Sequence, residues 1–286
     1  MKSTLNTIML PVRGDGKGDN VLAHAAVVAK QHGARVRVVH CRPKTDDLMP
    51  YGVVIPSVLR QQIEEAASRN AGVTEEQLTE EFKGLAKDFG LEIAEFDPDR
   101  ATARFIEFEG KQVDAVRHYG RLADLICVPQ PDGPSLGSNT LKTALFSSGR
   151  PVMMCPHSVP APSVIGRHVA IAWNGSLEAT RAVGMSMALI RNAESVTILS
   201  SEAIDHSASA EELQRYLELK SIAAGVRKFK AEGANVGREI LAQCVEINAD
   251  LLIMGAYHDS YERETIFGGN SQAVVDHANL PVVFVH

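Results

Sequence analysis

Apolar residues in this chain gather in short runs that alternate with longer stretches of helical spacing. Thr7–Val12, Arg35–Val39, Ala123–Val128 and Pro151–Met154 are strand-like, and Val21–Gln31 has the Ala-rich spacing of a helix. The same order returns further on: His168–Trp173, Ser195–Leu199, Ala249–Met254 and Pro281–Phe284 are strand-like, with helical patterns over Leu177–Ile190 and Gln272–Ala278. The strand-like runs are apolar on both faces, as parallel strands covered by helices must be. Strand and helix in alternation predict an open, doubly wound α/β sheet. Ile63 to Leu91, rich in Glu, Lys and Ala, reads as a long solvated helix. Its one apolar stripe, Leu78, Phe82, Leu85 and Phe89, is expected to pack within the chain, with a groove for a partner as the alternative.

The order is a repeat. Ala123-Asp124-Leu125-Ile126-Cys127-Val128 parallels Ala249-Asp250-Leu251-Leu252-Ile253-Met254, and Pro151-Val152-Met153-Met154 parallels Pro281-Val282-Val283-Phe284. Between the copies, His157–Ser163 contains Pro160 and Pro162 and has no apolar periodicity, which marks a linker. The domains are therefore expected at 1–156 and 167–286, with 157–166 between them. In a doubly wound sheet, ligands bind beyond the carboxyl ends of the strands, at the topological switch point. The residues to inspect are Arg13–Gly16 and Pro129–Gly133 in the first copy, and Asn174–Ser176 and Gly255–His258 in the second.

Composition narrows the class. A formal net charge of −6, with 29 basic and 35 acidic residues, argues against a nucleic-acid or anionic-membrane partner. No apolar run reaches the length of a membrane span, and Met1–Gly16 lacks the apolar core of a signal peptide. Cys41, Cys127, Cys155 and Cys244 form no CxxC and no zinc-finger spacing, and read as reduced core thiols of a cytoplasmic protein.

Gly255 directly after a buried strand allows close approach to the backbone. Gly268, Gly269, Asn270 and Ser271 stand where a helix begins, and N–H groups at a helix start with a hydroxyl nearby suit an anion. The plainer alternative is turn glycines followed by an N-cap. Other candidates are weaker. Gly14-Asp15-Gly16-Lys17-Gly18 lacks the spacing of a phosphate loop and reads as a flexible turn. His40 and Cys41 with His118 or His157 have no metal-ligand spacing, and the scattered histidines read as surface or hydrogen-bonded side chains. No nucleophile elbow is present, so no catalytic residue is assigned. Asp259, Glu262 and Glu264 could hold Mg²⁺ beside a nucleotide, but solvated loop charge is the simpler reading.

These residues carry a resemblance that covers nearly the whole chain. It resembles the universal stress proteins in their tandem form, with two such domains in one chain. The resemblance implies two doubly wound, mostly parallel five-stranded sheets of the adenine nucleotide alpha hydrolase-like type, packed as an intrachain pseudo-dimer. Val152-Met153-Met154 would pair with Val282-Val283-Phe284. It implies a stress-response protein that binds ATP or ADP, with Mg²⁺ where the nucleotide brings it. Nucleotide-binding members carry G-x2-G-x9-G-[S/T] after the fourth strand and an adenine-recognising Asp after the first. Here Gly255 and Gly268 fit, while His258 replaces the second glycine, Gly269 takes the Ser/Thr place and Asn174 replaces the Asp. By resemblance, Ala172, Trp173 and Asn174 border the base. Met254, Gly255 and His258 lie along the ribose and phosphates, and Gly268, Gly269, Asn270 and Ser271 hold the phosphates. The first copy, with Arg13 and Pro129 at the key places, is expected to be a degenerate partner. Two other readings stay open: a universal stress protein acting through protein partners or another small ligand, and an ATP-dependent enzyme. The missing signature loop counts against the enzyme, so hydrolysis is expected to be slow at most. Pairing of whole chains into a homodimer is left open.

Overall fold

The computed structural model describes residues 5–12, 18–42, 76–97, 99–131, 137–202, 207–231, 236–256 and 269–286. The first half runs β1 (Thr7–Val12), α1 (Gly18–His32), β2 (Arg35–Arg42), α2 (76–88), β3 (Glu92–Ile93), β4 (Thr102–Glu109), α3 (Gln112–Tyr119), β5 (Leu125–Pro129), α4 (Gly137–Ser148) and β6 (Val152–Cys155). The second runs β7 (His168–Ala172), α5 (Leu177–Met185), α6 (Met187–Arg191), β8 (Ser195–Ser201), α7 (Ala210–Glu218), β9 (Gly225–Phe229), α8 (Val236–Glu246), β10 (Leu251–Gly255), α9 (Gly269–His277) and β11 (Val282–Val285).

The strands form one sheet in the order β3-β4-β2-β1-β5-β6-β11-β10-β7-β8-β9. Each half contributes the same five-strand parallel arrangement, β4-β2-β1-β5-β6 and β9-β8-β7-β10-β11, and the two-residue β3 adds an edge to the first. The expected pairing of the last strands joins them. β6 and β11 run antiparallel with Val152 opposite Phe284, Met153 opposite Val283 and Met154 opposite Val282. All six side chains are fully buried. Met153 and Val283 point into the apolar layer on one face; the other four enter the layer on the opposite face. Both layers contain side chains from both halves, so the halves share their interior.

The repeated Ala-Asp-Leu explains why each half begins alike. The Asp124 carboxylate accepts from the backbone N–H groups of Asn6 and Thr7, at 2.9 and 3.0 Å. Asp250 accepts from Gly166, Arg167 and His168, at 2.9 to 3.2 Å. Each carboxylate ties the chain entering a half's first strand to the start of the strand beside it. The linker is held along α1. Asn20 donates to the carbonyls of Pro156 and Val159, and Gln31 exchanges two hydrogen bonds with the backbone of Ile165.

Two element boundaries differ from the sequence pattern. The helical stretch Leu177–Ile190 breaks at Ser186, whose backbone (φ −97°, ψ 13°) leaves the helical basin. Gly184 and Ser186 weaken the helix at that point within an otherwise favourable pattern. The helix read to Leu91 ends earlier, because Gly90 takes φ +70° and the Leu91 N–H closes back on the Ala86 carbonyl. Its apolar stripe is used within the chain. Phe82 is buried, and Leu85 and Phe89 pack on the same layer. Residues 63–75 of that expectation lie outside the described residues.

None of the four cysteines forms a disulfide. Burial pushes Cys244 up to about 12, and burial with the neighbouring Cys155 raises Cys127, so neither is a thiolate nucleophile near neutrality. Among the described residues no helix is long and apolar enough to cross a membrane.

Candidate functional site

In the second half, the strand order places the switch point between β7 and β10, with Ala172 and Met254 in register at their ends. Both are buried. Trp173 follows, also buried. Its backbone N–H donates to Leu199 and its indole Nε1 donates to the Ala208 carbonyl at 2.8 Å. The indole is thus bound into the fold and fixes the segment that precedes α7. Ser207 closes the same corner by donating to the Gly175 carbonyl at 2.5 Å. Gly175 adopts φ +71°, and a Cβ there would stand 3.0–3.2 Å from Ser207 and Ala208, so glycine is required on both counts.

Asn174 is half-buried and turns the chain. Its Oδ1 accepts from the Ser176 N–H at 3.1 Å, and the Ser176 hydroxyl accepts from the Ala179 N–H as the N-cap of α5. One acceptor lone pair of the residue expected to meet the base is therefore engaged in a local turn. The amide Nδ2 can donate to a ring nitrogen.

The close approach at Gly255 is made by the protein itself. A Cβ on Gly255 would lie 2.5 Å from the Ala179 nitrogen and 2.6 Å from the Glu178 carbonyl carbon. The first turn of α5 rests on the end of β10, so the missing side chain admits a helix.

The start of α9 offers backbone donors. An α-helix leaves its first N–H groups without intrahelical partners, and here they belong to Gly269, Asn270, Ser271 and Gln272. Asn270 is half-buried and Ser271 is buried. The start of α9 is held against α8 at Gly237, where an added Cβ would lie 2.2 Å from the Asn270 carbonyl oxygen. Sequence reasoning missed Gly237, whose only signal is a glycine within a helical pattern. The side chain of Gln272 donates to Asp276 at 2.5 Å, while its Oε1 is buried without a partner among the described residues.

The structure thus brings Ala172, Trp173, Asn174, Met254 and Gly255 together at two adjacent strand ends, with Gly269, Asn270 and Ser271 at the start of α9. His258, Gly268 and the acidic Asp259, Glu262 and Glu264 lie outside the described residues, as do Arg13–Gly16 and Lys17 of the first half.

In the first half, Pro129 closes β5 and the buried Gln130 follows it. His40 is paired with an acid: its Nδ1 lies 2.6 Å from Glu107 Oε1 on the next strand. The Cys41 thiol lies against the Val39 carbonyl, 4.0 Å away. Among the described residues no three His, Cys, Asp or Glu side chains gather as a metal site.

Residues 167–286 match the model of the universal stress protein family. Solved structures extend the likeness in fold to the full length. A universal stress protein from Archaeoglobus fulgidus DSM 4304 is 17% identical, covers 99% of this chain and 98% of its own, and superposes with a TM-score of 0.70. A putative universal stress protein from Pseudomonas aeruginosa UCBPP-PA14 is 12% identical over 99% of this chain and 93% of its own, with a TM-score of 0.53. At these identities the likeness is one of fold. No curated protein matches the chain.

Proposed function

We propose that the chain is a tandem universal stress protein, with domains at 1–156 and 167–286. Its second domain binds an adenine nucleotide, ATP or ADP, as a regulatory ligand in the cytoplasm. One observation carries the reading: the N-terminal turn of α9, with Ser271, follows the β10 end of the β7–β10 switch point, within the segment that matches the family. The residues fit the ligand in parts. The amides of Gly269 to Gln272 and the Ser271 hydroxyl suit phosphate oxygens. The Asn174 amide, with Oδ1 bound to Ser176, reads the base by donation. Ala172 and Met254 supply apolar surface. Mg²⁺ enters only with the phosphates, and no residue is assigned to activate water, so the chain is read as a binding protein.

A second reading has its own support. The engaged Asn174 acceptor and the helix seated on Gly255 both reduce what the site offers a nucleotide. On that reading the protein acts through protein partners or another small ligand.

Calorimetric titration of the full chain with ATP separates the two. Asn174→Asp keeps the turn, because a carboxylate also accepts from the Ser176 N–H, and exchanges the Nδ2 donor for a charged acceptor that meets the exocyclic amine, a stronger charge-assisted hydrogen bond. The variant is expected to bind ATP several-fold more tightly than the natural sequence. Absence of binding by both proteins at millimolar ATP contradicts the nucleotide reading.

A further inference from the structure

Gln130 occupies the place after β5 that Ala256 occupies after β10. Each donates its backbone N–H, at 2.8 Å, to the last carbonyl of the neighbouring strand, Cys155 for Gln130 and Val285 for Ala256. Their side chains then diverge. The Gln130 amide is 2% exposed and crosses to the other half, where Nε2 donates to the carbonyls of Val275 at 2.8 Å and Ala278 at 3.2 Å. Its Oε1 accepts from the His157 N–H at 3.3 Å. Val275 and Ala278 close the C-terminal end of α9, where helix carbonyls lack intrahelical donors. Both hydrogens of one buried amide are spent on that end.

The end of the matching helix of the first half is hydrogen-bonded from within that half, and its last turn meets the second half through a ring contact, Phe146 edge-on to His286 with centroids 4.6 Å apart. The Ser148 hydroxyl donates to the Ala144 carbonyl at 2.5 Å, and Arg121 Nε donates to the Ser147 carbonyl at 3.2 Å. The methyl of Ala256 has no donor to return. Among the described residues the hydrogen-bonded grip on a helix end runs from the first half to the second, whereas the second half meets α4 through the His286 ring on Phe146.

We propose that Gln130 is a clamp by which the first half positions α9. Because α9 is nine residues long and pinned near its start by Gly237, fixing its C-terminal end fixes the axis along which its N-terminal amides point. Gln130 is a positioning residue and touches no ligand. That it positions a nucleotide site rests on the function proposed above; that it clamps α9 rests on the contacts alone. Pro129 stands at the end of β5 where Gly255 stands at the end of β10, and the residue after it, Gln130, makes the contact by which the first half holds α9.

Two variants of similar length test this in the full chain. Gln130→Met fills the space without donating. Gln130→Glu fills it with a carboxylate facing the negative end of the helix. The readouts are amide hydrogen exchange of the ligand-free protein, resolved by peptide, and ATP affinity. Gln130→Met is expected to lower protection across α9 by roughly tenfold, the worth of about one hydrogen bond, and Gln130→Glu by more. β10 and β11 should stay as protected as in the natural chain, and ATP should bind more weakly in both variants. α9 protection equal to the natural chain in both variants would show a space-filling role and overturn the clamp. Loss of protection spread evenly over α9, β10 and β11 would also overturn it. A selective loss in α9 with unchanged ATP affinity overturns the positioning of the site. If the natural chain binds no ATP, the nucleotide reading fails while the exchange data still decide the clamp.

Discussion

At the scale of single residues, several positions that look chemical are structural, and one that looks structural is tuned to pH. His24 is fully buried on α1 with Nδ1 2.7 Å from the Asn20 carbonyl, so Nδ1 carries the proton and donates. Nε2 is buried without a partner among the described residues. Burial lowers the pKa of His24, and burial lowers that of His32 as well. Both are therefore neutral in the folded protein where the unfolded chain begins to protonate them, near pH 6.5. Below that pH the unfolded chain binds protons that the folded one refuses, so stability falls with pH until the folded pKa values are passed. The urea midpoint is expected to drop between about pH 7 and pH 5.5, and to drop less steeply in His24→Leu. Parallel pH profiles for the two proteins would contradict this account. The sequence exposed the type of His24 but not its burial, because an Ala-rich helix gives the same pattern whether one face or most of it is covered.

At the scale of elements, strand positions were legible because each run is apolar on both faces and recurs in order. Helix limits were less so. The break at Ser186 depends on Gly184 and Ser186 within a stretch whose neighbours all favour helix. Gly255 shows a different limit. A glycine after a buried strand announces a close approach without saying what approaches, and here it is the backbone of Glu178 and Ala179. Gly255→Ala forces that turn of α5 away, since the atoms it meets, the Ala179 nitrogen and the Glu178 carbonyl carbon, belong to the backbone. It is expected to cost about 1–3 kcal/mol in urea unfolding without ligand. Stability equal to the natural protein would mean that α5 does not rest on β10. Gln130 lies beyond any local pattern. Its partner carbonyls are 145 and 148 residues away, and its only sequence signal is a polar side chain at the end of an apolar strand.

At the scale of the whole molecule, the repeat predicted two sheets and their pairing, and the antiparallel β6–β11 contact merges them into one. Two apolar layers run through both halves, so the first half supplies interior and a grip on α9. The candidate site was legible at its strand ends and at the start of α9, because Gly269, Asn270 and Ser271 mark a helix beginning. Its occupied acceptor at Asn174 was not, because the Asx turn depends on backbone geometry.

The central claim is that the second half binds an adenine nucleotide, and the most direct measurement is the nucleotide carried by freshly purified protein. The protein is denatured, and the supernatant is separated by ion exchange with ultraviolet detection. The account predicts ATP or ADP at close to one equivalent per chain, and its loss in a folded Gly269→Val variant, which adds a branched side chain at the first residue of α9. No released nucleotide, together with no calorimetric binding at millimolar ATP, would contradict it.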